Sequence, residues 1–534
     1  MRLEANCGNS VLLWHETSAS SYGCSIRFAW TASGAAHSCS SSLSNSQRKP
    51  LLQNLPKRIY VRCYSMLLDA LKLLRYGLGN PVSRRILSLG LGFCKDCQMR
   101  RLEHAMMVYL HKAESHTFSC KVYSSLLSIL INTGLRVFGV DRESFIEYFS
   151  ESTTRRGLLA VLRGIARYGI MKPQLLDAPF LIVWNLTDAC NLKCKHCYQK
   201  AGLQRPDELS TSEKLRVVEE LADAGVVSIA FSGGEPLMAR DFFEVAQKIK
   251  EKGMHLAIAT NGTLITKDIA KKLRSLGVDY IEVSLDFPDA ERHDEFRGVD
   301  GAFEKTLQGI RNCVTEGIYT CIATTVTRLN FQDVPEIIDL AKRLNVKRFI
   351  AFNFIPSGRG ADSFDIDLTP EEREQLLKRL FNENRGGEIE VLSTAPQYAR
   401  VSLESSGGVN VAPTHFYIGE ASWNLKVLAE FIGGCGAGRL YCALQPNGDV
   451  SPCVFMPNLT VGNLRETSFM NIWHRSDVLV KLRDRNQLHG NCGLCEYRFI
   501  CGGCRARAFA YFNDVLEQDP GCIRNSQYQK LKAV

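Results

Sequence analysis

Between Pro179 and Phe354 one local pattern recurs: a short apolar run, then a helical stretch that usually stops at a glycine. The runs are Phe180–Leu186, Val226–Phe231, His255–Thr260, Asp279–Asp286, Ile318–Thr327 and Val346–Phe354. Helical stretches stop near Gly225, Gly253, Gly277 and Gly317, and a further one near Leu344. The first opens on Ser210-Thr-Ser-Glu213, a capping box, and carries Leu215, Val218 and Leu221 as its apolar stripe. Repeated strand–helix units imply parallel strands joined by right-handed crossovers. Six of them predict an α/β fold, a partial (β/α)6 TIM-like barrel, with chemistry gathered on the loops after the strands.

The loop after the first run reads Asn185-Leu-Thr-Asp-Ala-Cys-Asn-Leu-Lys-Cys-Lys-His-Cys-Tyr198. Cys190, Cys194 and Cys197 are spaced C-x3-C-x2-C, and no fourth cysteine follows nearby. Three thiolates on one loop can hold three corners of an iron–sulfur cubane and leave one iron open for chemistry. The alternatives are a zinc knuckle, with His196 as fourth ligand, and plain core thiols. Later strand ends carry Ser232-Gly-Gly-Glu-Pro236, Thr260-Asn-Gly262 and Ser284-Leu-Asp286. Gly233 and Gly234 let the backbone pass close to a ligand, and Glu235 can take an ammonium. Arg297, in His293-Asp-Glu-Phe-Arg-Gly298, is a candidate carboxylate partner or a plain surface charge.

These motifs, in this order on strand ends, resemble the radical S-adenosylmethionine enzymes over about Ala178 to Gly358. The resemblance implies a catalytic 4Fe-4S cluster on Cys190, Cys194 and Cys197, whose open iron is chelated by the amino and carboxylate groups of S-adenosylmethionine. Reductive cleavage then yields a 5′-deoxyadenosyl radical that abstracts a substrate hydrogen. It also implies cofactor contacts at Gly233, Gly234, Glu235, Pro236, Thr260, Asn261, Ser284, Asp286 and Arg297. His196, where the family more often has Tyr or Phe, would meet the adenine through its backbone. An electron donor such as ferredoxin or flavodoxin is implied as a partner.

A second set of cysteines lies near the C-terminus: Cys435, Cys442, Cys453, Cys492, Cys495, Cys501, Cys504 and Cys522. Eight thiols suit two four-thiolate sites, either iron–sulfur clusters or structural zinc. The arrangement resembles the SPASM extension of radical S-adenosylmethionine enzymes, which carries two auxiliary 4Fe-4S clusters. By that resemblance Cys435, Cys442, Cys453 and Cys504 would hold one, and Cys492, Cys495, Cys501 and Cys522 the other. Four thiolates on each would leave electron transfer as their task. Cys501-Gly-Gly-Cys-Arg-Ala-Arg-Ala508 and Phe354-Ile-Pro-Ser-Gly-Arg-Gly360 look like members of the alternative haem pathway, which decarboxylate or deacetylate tetrapyrrole side chains. Peptide-modifying maturases share the architecture, and a non-catalytic iron–sulfur carrier is a third reading.

The remaining sequence is less specific. Residues 1–65 are Ser-rich and poor in acids, which suits a transit peptide, a disordered tail or a start at Met66. Residues 66–175 read as helical, with stripes at Met66–Arg75 and Leu158–Arg167. Cys94 and Cys97 form one C-x2-C and, without a partner pair, read as ordinary thiols. The barrel is expected over 176–358, a bridging segment over 359–434 and the cysteine-rich domain over 435–534. Twenty cysteines in 534 residues, eleven of them in metal-type clusters, point to a reducing compartment, the cytoplasm, rather than a disulfide scaffold. A net charge of +9 without a basic block gives no nucleic-acid signal. No apolar run spans a membrane, Leu126–Val140 being broken by Asn132, Gly134 and Arg136.

Overall fold

The computed structural model describes residues 4–7, 10–13, 79–114, 117–138, 141–406 and 430–525. The tail expected over 1–65, apart from a short hairpin of β1 (Glu4–Cys7) and β2 (Ser10–Leu13), lies outside them, as do Met66 and its helix. The chain divides into two compact units, Met1–Tyr76 with Phe93–Ser150, and Gly77–Gly92 with Glu151–Val534.

Helix α1 (Pro81–Gly90) belongs to the second unit. The first unit holds the hairpin β3 (Phe93–Cys94) and β4 (Met99–Arg100), then α2 (Arg101–Tyr109), α3 (Phe118–Phe138) and α4 (Arg142–Phe149). Tyr109 Oη donates to Asn132 Oδ1 at 2.7 Å and ties α2 to α3.

In the second unit α5 (Ser152–Tyr168) packs on α1, with Arg84 Nε donating to the Ala166 carbonyl at 3.2 Å. The barrel then runs β5 (Leu181–Thr187), α6 (Thr211–Ala224), β6 (Ser228–Gly233), α7 (Phe242–Glu251), β7 (His255–Thr260) and α8 (Lys267–Leu276). It continues with β8 (Tyr280–Ser284), α9 (Ala290–Arg297), α10 (Ala302–Thr315), β9 (Thr320–Val326), α11 (Val334–Arg343) and β10 (Arg348–Asn353). All neighbouring pairs from β5 to β10 are parallel, the partial barrel that the repeats predict. The capping box at Ser210 and Glu213 forms, and Gly225 ends α6 at φ +93°, a conformation that costs any other residue strain.

Two features go beyond the sequence reading. The helical stretch before Gly317 is two helices, α9 and α10, so His293 and Arg297 sit on a helix rather than a loop. The bridging segment adds a seventh unit, α12 (Pro370–Gly386), β11 (Glu390–Ser393) and α13 (Gln397–Ser405), with β11 parallel to β10; residues 407–429 of that segment lie outside those described. At the other edge β12 (Tyr441–Leu444) pairs parallel to β5, and β13 (Asp449–Ser451) and β14 (Gly462–Asn463) follow antiparallel. The chain closes with α14 (Phe469–Arg475), α15 (Asp477–Arg483), α16 (Gly490–Leu494) and α17 (Arg505–Phe512).

Between sheet and helices lies one apolar layer that includes Ile182, Trp184, Val218, Leu221, Phe231, Ile249 and Ile281, all essentially inaccessible. Each such side chain contributes about 1.5–3 kcal/mol, which fixes the strand ends that carry the motifs. Among the described residues no helix is long and apolar enough to cross a membrane.

Candidate functional site

The cysteine loop leaves β5 and is closed on itself: Cys190 N donates to Gly202 O at 2.9 Å and Gly202 N to Asp188 O at 2.8 Å. Its outer edge is held by the end of α9, with Lys193 N on Arg297 O at 3.0 Å and Lys195 N on Phe296 O at 3.1 Å. Its far end is held by the segment after β10. There Arg359 N donates to Cys197 O at 2.7 Å, and its guanidinium to the Cys194 carbonyl at 2.8 Å and to the Ala201 carbonyl. Gly358 makes that approach possible, because a Cβ would fall 2.0 Å from Tyr198 O.

Burial pushes the Cys190 thiol up to about 12, against the N–H of Leu192, and also raises Cys194, against the Arg297 guanidinium, whose Nη1 is 3.7 Å from the sulfur. Buried thiols of this kind ionise when a metal takes them. The sulfurs of Cys190, Cys194 and Cys197 do not all lie within 4.8 Å of one another. A single zinc with bonds of about 2.3 Å would require that, so the wider spacing suits the corners of a cluster. His196 is no ligand here: its ring stacks on Phe296, centroids 4.2 Å apart, with Nε2 3.9 Å from Asp286 Oδ2. Burial first, then the nearby Arg297, hold it neutral, well below the usual imidazole range.

Gly233 and Gly234 cross directly over this loop. A Cβ on Gly234 would fall 2.1 Å from Ala189 O, and Gly234 N and Glu235 N donate to Thr187 O and Ala189 O, both at 2.8 Å. Pro236, buried, then starts a short 3₁₀ turn. The Glu235 carboxylate is inaccessible and accepts from Thr260 Oγ1 and Asn261 N at 2.8 Å and from Leu237 N at 3.2 Å. Burial nevertheless pushes it up to about 7. An ammonium beside it would restore its charge. Asn261 Nδ2 reaches Asn191 Oδ1 at 2.9 Å, a link from the third strand end to the cysteine loop. Ser284 ends β8. Asp286 and Arg297 face each other, with Nη2 2.5 Å from Oδ2, while Thr325 N donates to Asp286 Oδ1 at 2.8 Å. The carboxylate partner of Arg297 is therefore within the protein, and the guanidinium reaches past it to Cys194.

The sequence reading passed over Asn191, Arg359 and the polar set beneath the loop. In that set Tyr198 Oη lies 2.8 Å from Ser232 Oγ, and Asn185 Nδ2 donates to Gln199 and Gln445 at 3.0 Å. Asn185 is inaccessible although it lies in an apolar run, the one signal that could have marked it.

The C-terminal cysteines separate into two groups. Cys435, Cys453 and Cys504 line a small cavity of about 20 Å³ together with Asn353, Thr394 and Tyr441. The Tyr441 hydroxyl lies 2.7 Å from Cys453 Sγ. Cys442 is not with them. Successive residues of a strand face opposite ways, so Tyr441 and Ala443 face the cavity cluster and Cys442 faces Ile182, Leu221 and Leu444 in the apolar layer. In the second group burial raises the Cys501 and Cys522 thiols, with Cys492 close enough to raise both further and Cys522 to raise Cys501, and Cys492 accepts from Asp519 N and Asn525 Nδ2 at 3.4 Å. Cys495, half-buried, follows α16 beside Arg524. Asp519 links the groups, because its carboxylate also accepts from Cys504 N at 2.6 Å. No three of these eight sulfurs lie mutually within 4.8 Å.

A loop of one buried and two half-buried thiols at the mouth of a parallel barrel, with a glycine turn laid over it, is a site that can hold an iron–sulfur cluster. Residues 184–341 match the radical SAM superfamily and residues 435–496 the SPASM iron–sulfur cluster-binding domain. The chain is 38% identical over 354 residues to an AdoMet-dependent heme synthase of Methanosarcina barkeri, covering 65% of this chain and 97% of that one. It is 32% identical over 355 residues to a mycofactocin maturase of Mycobacterium tuberculosis, covering 65% and 84%. The fold matches the crystal structure of Streptococcus suis SuiB bound to its precursor peptide, with a TM-score of 0.57, 18% identity, and 80% and 92% of the two chains covered. The chain belongs to the radical SAM superfamily and carries its SPASM extension.

Proposed function

We propose that this radical SAM enzyme oxidises a tetrapyrrole side chain, by decarboxylation or deacetylation. The likeness to a heme synthase over nearly all of that enzyme's length carries the reading. For a propionate the balance is one hydrogen atom abstracted, one CO2 released, one electron given up and a vinyl group left. What a cluster on Cys190, Cys194 and Cys197 with S-adenosylmethionine supplies is the radical that takes the hydrogen atom. Glu235 and the glycines above it orient the methionine ammonium, Asn261 joins them to the cysteine loop, and Arg297, held by Asp286, polarises Cys194.

Cys492, Cys495, Cys501 and Cys522 would hold one auxiliary cluster and Cys435, Cys453 and Cys504 a second, and such clusters would supply an acceptor for the electron given up. Cys442 is left out of the second set because it faces the apolar layer. A small reductant protein of the ferredoxin or flavodoxin type primes the cycle. Sixteen free cysteines among the described residues suit a reducing compartment such as the cytoplasm.

The test is anaerobic incubation of the reconstituted, reduced enzyme with S-adenosylmethionine and a propionate-bearing iron porphyrin. The expected product has lost CO2 and one hydrogen from a side chain, with one 5′-deoxyadenosine formed per event. The likeness to a mycofactocin maturase favours a second reading, a peptide substrate. Oxidation of a precursor peptide encoded beside the gene, with no change in any porphyrin, would replace the first reading by the second.

A further inference from the structure

A third group of thiols lies in the first unit, outside both the barrel and the C-terminal cysteines. Cys94 ends β3, Cys97 sits in the turn to β4, and Cys120 is in the first helical turns of α3. The turn is tight: Gln98 adopts φ +52°, and the backbone N–H groups of Cys97 and Asp96 point at the Cys94 sulfur. That brings the three sulfurs together, with Cys97 Sγ 3.3 Å and Cys94 Sγ 3.6 Å from Cys120 Sγ. All three lie within 4.8 Å of one another, a spacing that neither the barrel-loop cysteines nor the C-terminal set shows. A tetrahedral zinc with Zn–S bonds of about 2.3 Å places its sulfurs about 3.8 Å apart.

We propose that Cys94, Cys97 and Cys120 hold a single zinc ion that ties the β3–β4 hairpin to helix α3. A hairpin of two-residue strands has almost no ladder of its own. So short a unit gains from a metal staple. Amide donors turned on the Cys94 sulfur offset its negative charge once the proton has left, as in other thiolate metal sites. Zinc takes a fourth, lighter donor, which is water here, because among the described residues no other Cys, His, Asp or Glu joins the three sulfurs within 4.8 Å. A disulfide is the competing chemistry, since Cys97 and Cys120 are close enough to oxidise. It would join two sulfurs and leave the third, with its two amide donors, unused.

The test uses the full-length protein, purified without oxygen and fully loaded with iron. Zinc is measured beside iron, and the zinc K-edge absorption gives the first shell. The expected result is about one zinc per chain with three sulfurs at about 2.3 Å and one lighter donor. The Cys97→Ser/Cys120→Ser double variant is expected to lose the zinc while iron content and 5′-deoxyadenosine formation stay unchanged. Absence of zinc from the wild-type protein overturns the proposal. So does zinc with four sulfurs, zinc retained by the double variant, or a Cys97–Cys120 disulfide in the unreduced protein. The shell measurement on the wild type decides the matter even where the variant fails to fold. None of these results depends on the substrate of the barrel site.

Discussion

Cys442 and Cys453 lie eleven positions apart, and the structure assigns them opposite fates. Cys442 is inaccessible in the apolar layer, with Ile182, Leu221 and Leu444 around it. Cys442→Ala deletes one buried heavy atom, a loss comparable to Ile→Val, about 1 kcal/mol. At about 2.1 cal/mol/K of unfolding entropy per residue, for a unit this large that lowers Tm by only about 1 °C and leaves the iron untouched. Cys453→Ala instead removes one of three thiolates around the cavity and the sulfur beside the Tyr441 hydroxyl. About four irons per chain are then lost, one cubane. The assay is iron and sulfide per chain after anaerobic reconstitution, with electron paramagnetic resonance of the reduced protein to count clusters. Equal iron loss in the two variants would refute the reasoning, because it would put Cys442 on the cluster and β12 in the opposite register.

Gly234→Ala pushes a methyl into Ala189 O at 2.1 Å and Asp188 O at 2.8 Å, both backbone, so the turn must lift off the cysteine loop. A displacement of this order costs about a hundredfold in S-adenosylmethionine cleavage, while C-terminal iron is retained. Glu235, at about 7 in the folded protein and 4.5 ordinarily, makes binding pH-dependent. S-adenosylmethionine affinity is expected to fall about tenfold per pH unit below 7 and to lose that slope in Glu235→Gln, as read by equilibrium binding. The sign for stability without ligand is the reverse. The neutral carboxyl's contribution is complete below pH 4.5 and is lost as pH rises through 7. Asp286→Asn leaves Arg297 buried without its countercharge. A destabilisation of about 3–5 kcal/mol is expected by denaturant titration, and a cost under 1 kcal/mol would show that the pair is not buried in solution.

Much of the barrel was legible because its signals are local. Strand runs, the Ser210 box and the glycine stops each act within a few residues, and the structure forms them where they were expected. Strand β11 was missed because it has four residues and opens on Glu390. At the site, residue types could be read but not their mutual use. Arg297 looked like a ligand for a carboxylate, and the carboxylate it meets is Asp286, eleven positions earlier. Cys442 fitted a count of eight thiols, yet the alternation of a strand allows only one of Tyr441 and Cys442 to face the cavity. Cys120 gave no signal at all, since its meeting with Cys94 and Cys97 depends on how α3 packs.

The proposal that Cys190, Cys194 and Cys197 hold a cluster with one open iron is tested most directly by chromatographic assay of 5′-deoxyadenosine after the reduced, reconstituted protein meets S-adenosylmethionine. The account predicts that the nucleoside forms in the wild type and not in Cys194→Ala, whose C-terminal clusters remain. Cleavage that survives in Cys194→Ala, or that is absent from wild-type protein carrying its full iron, would contradict it.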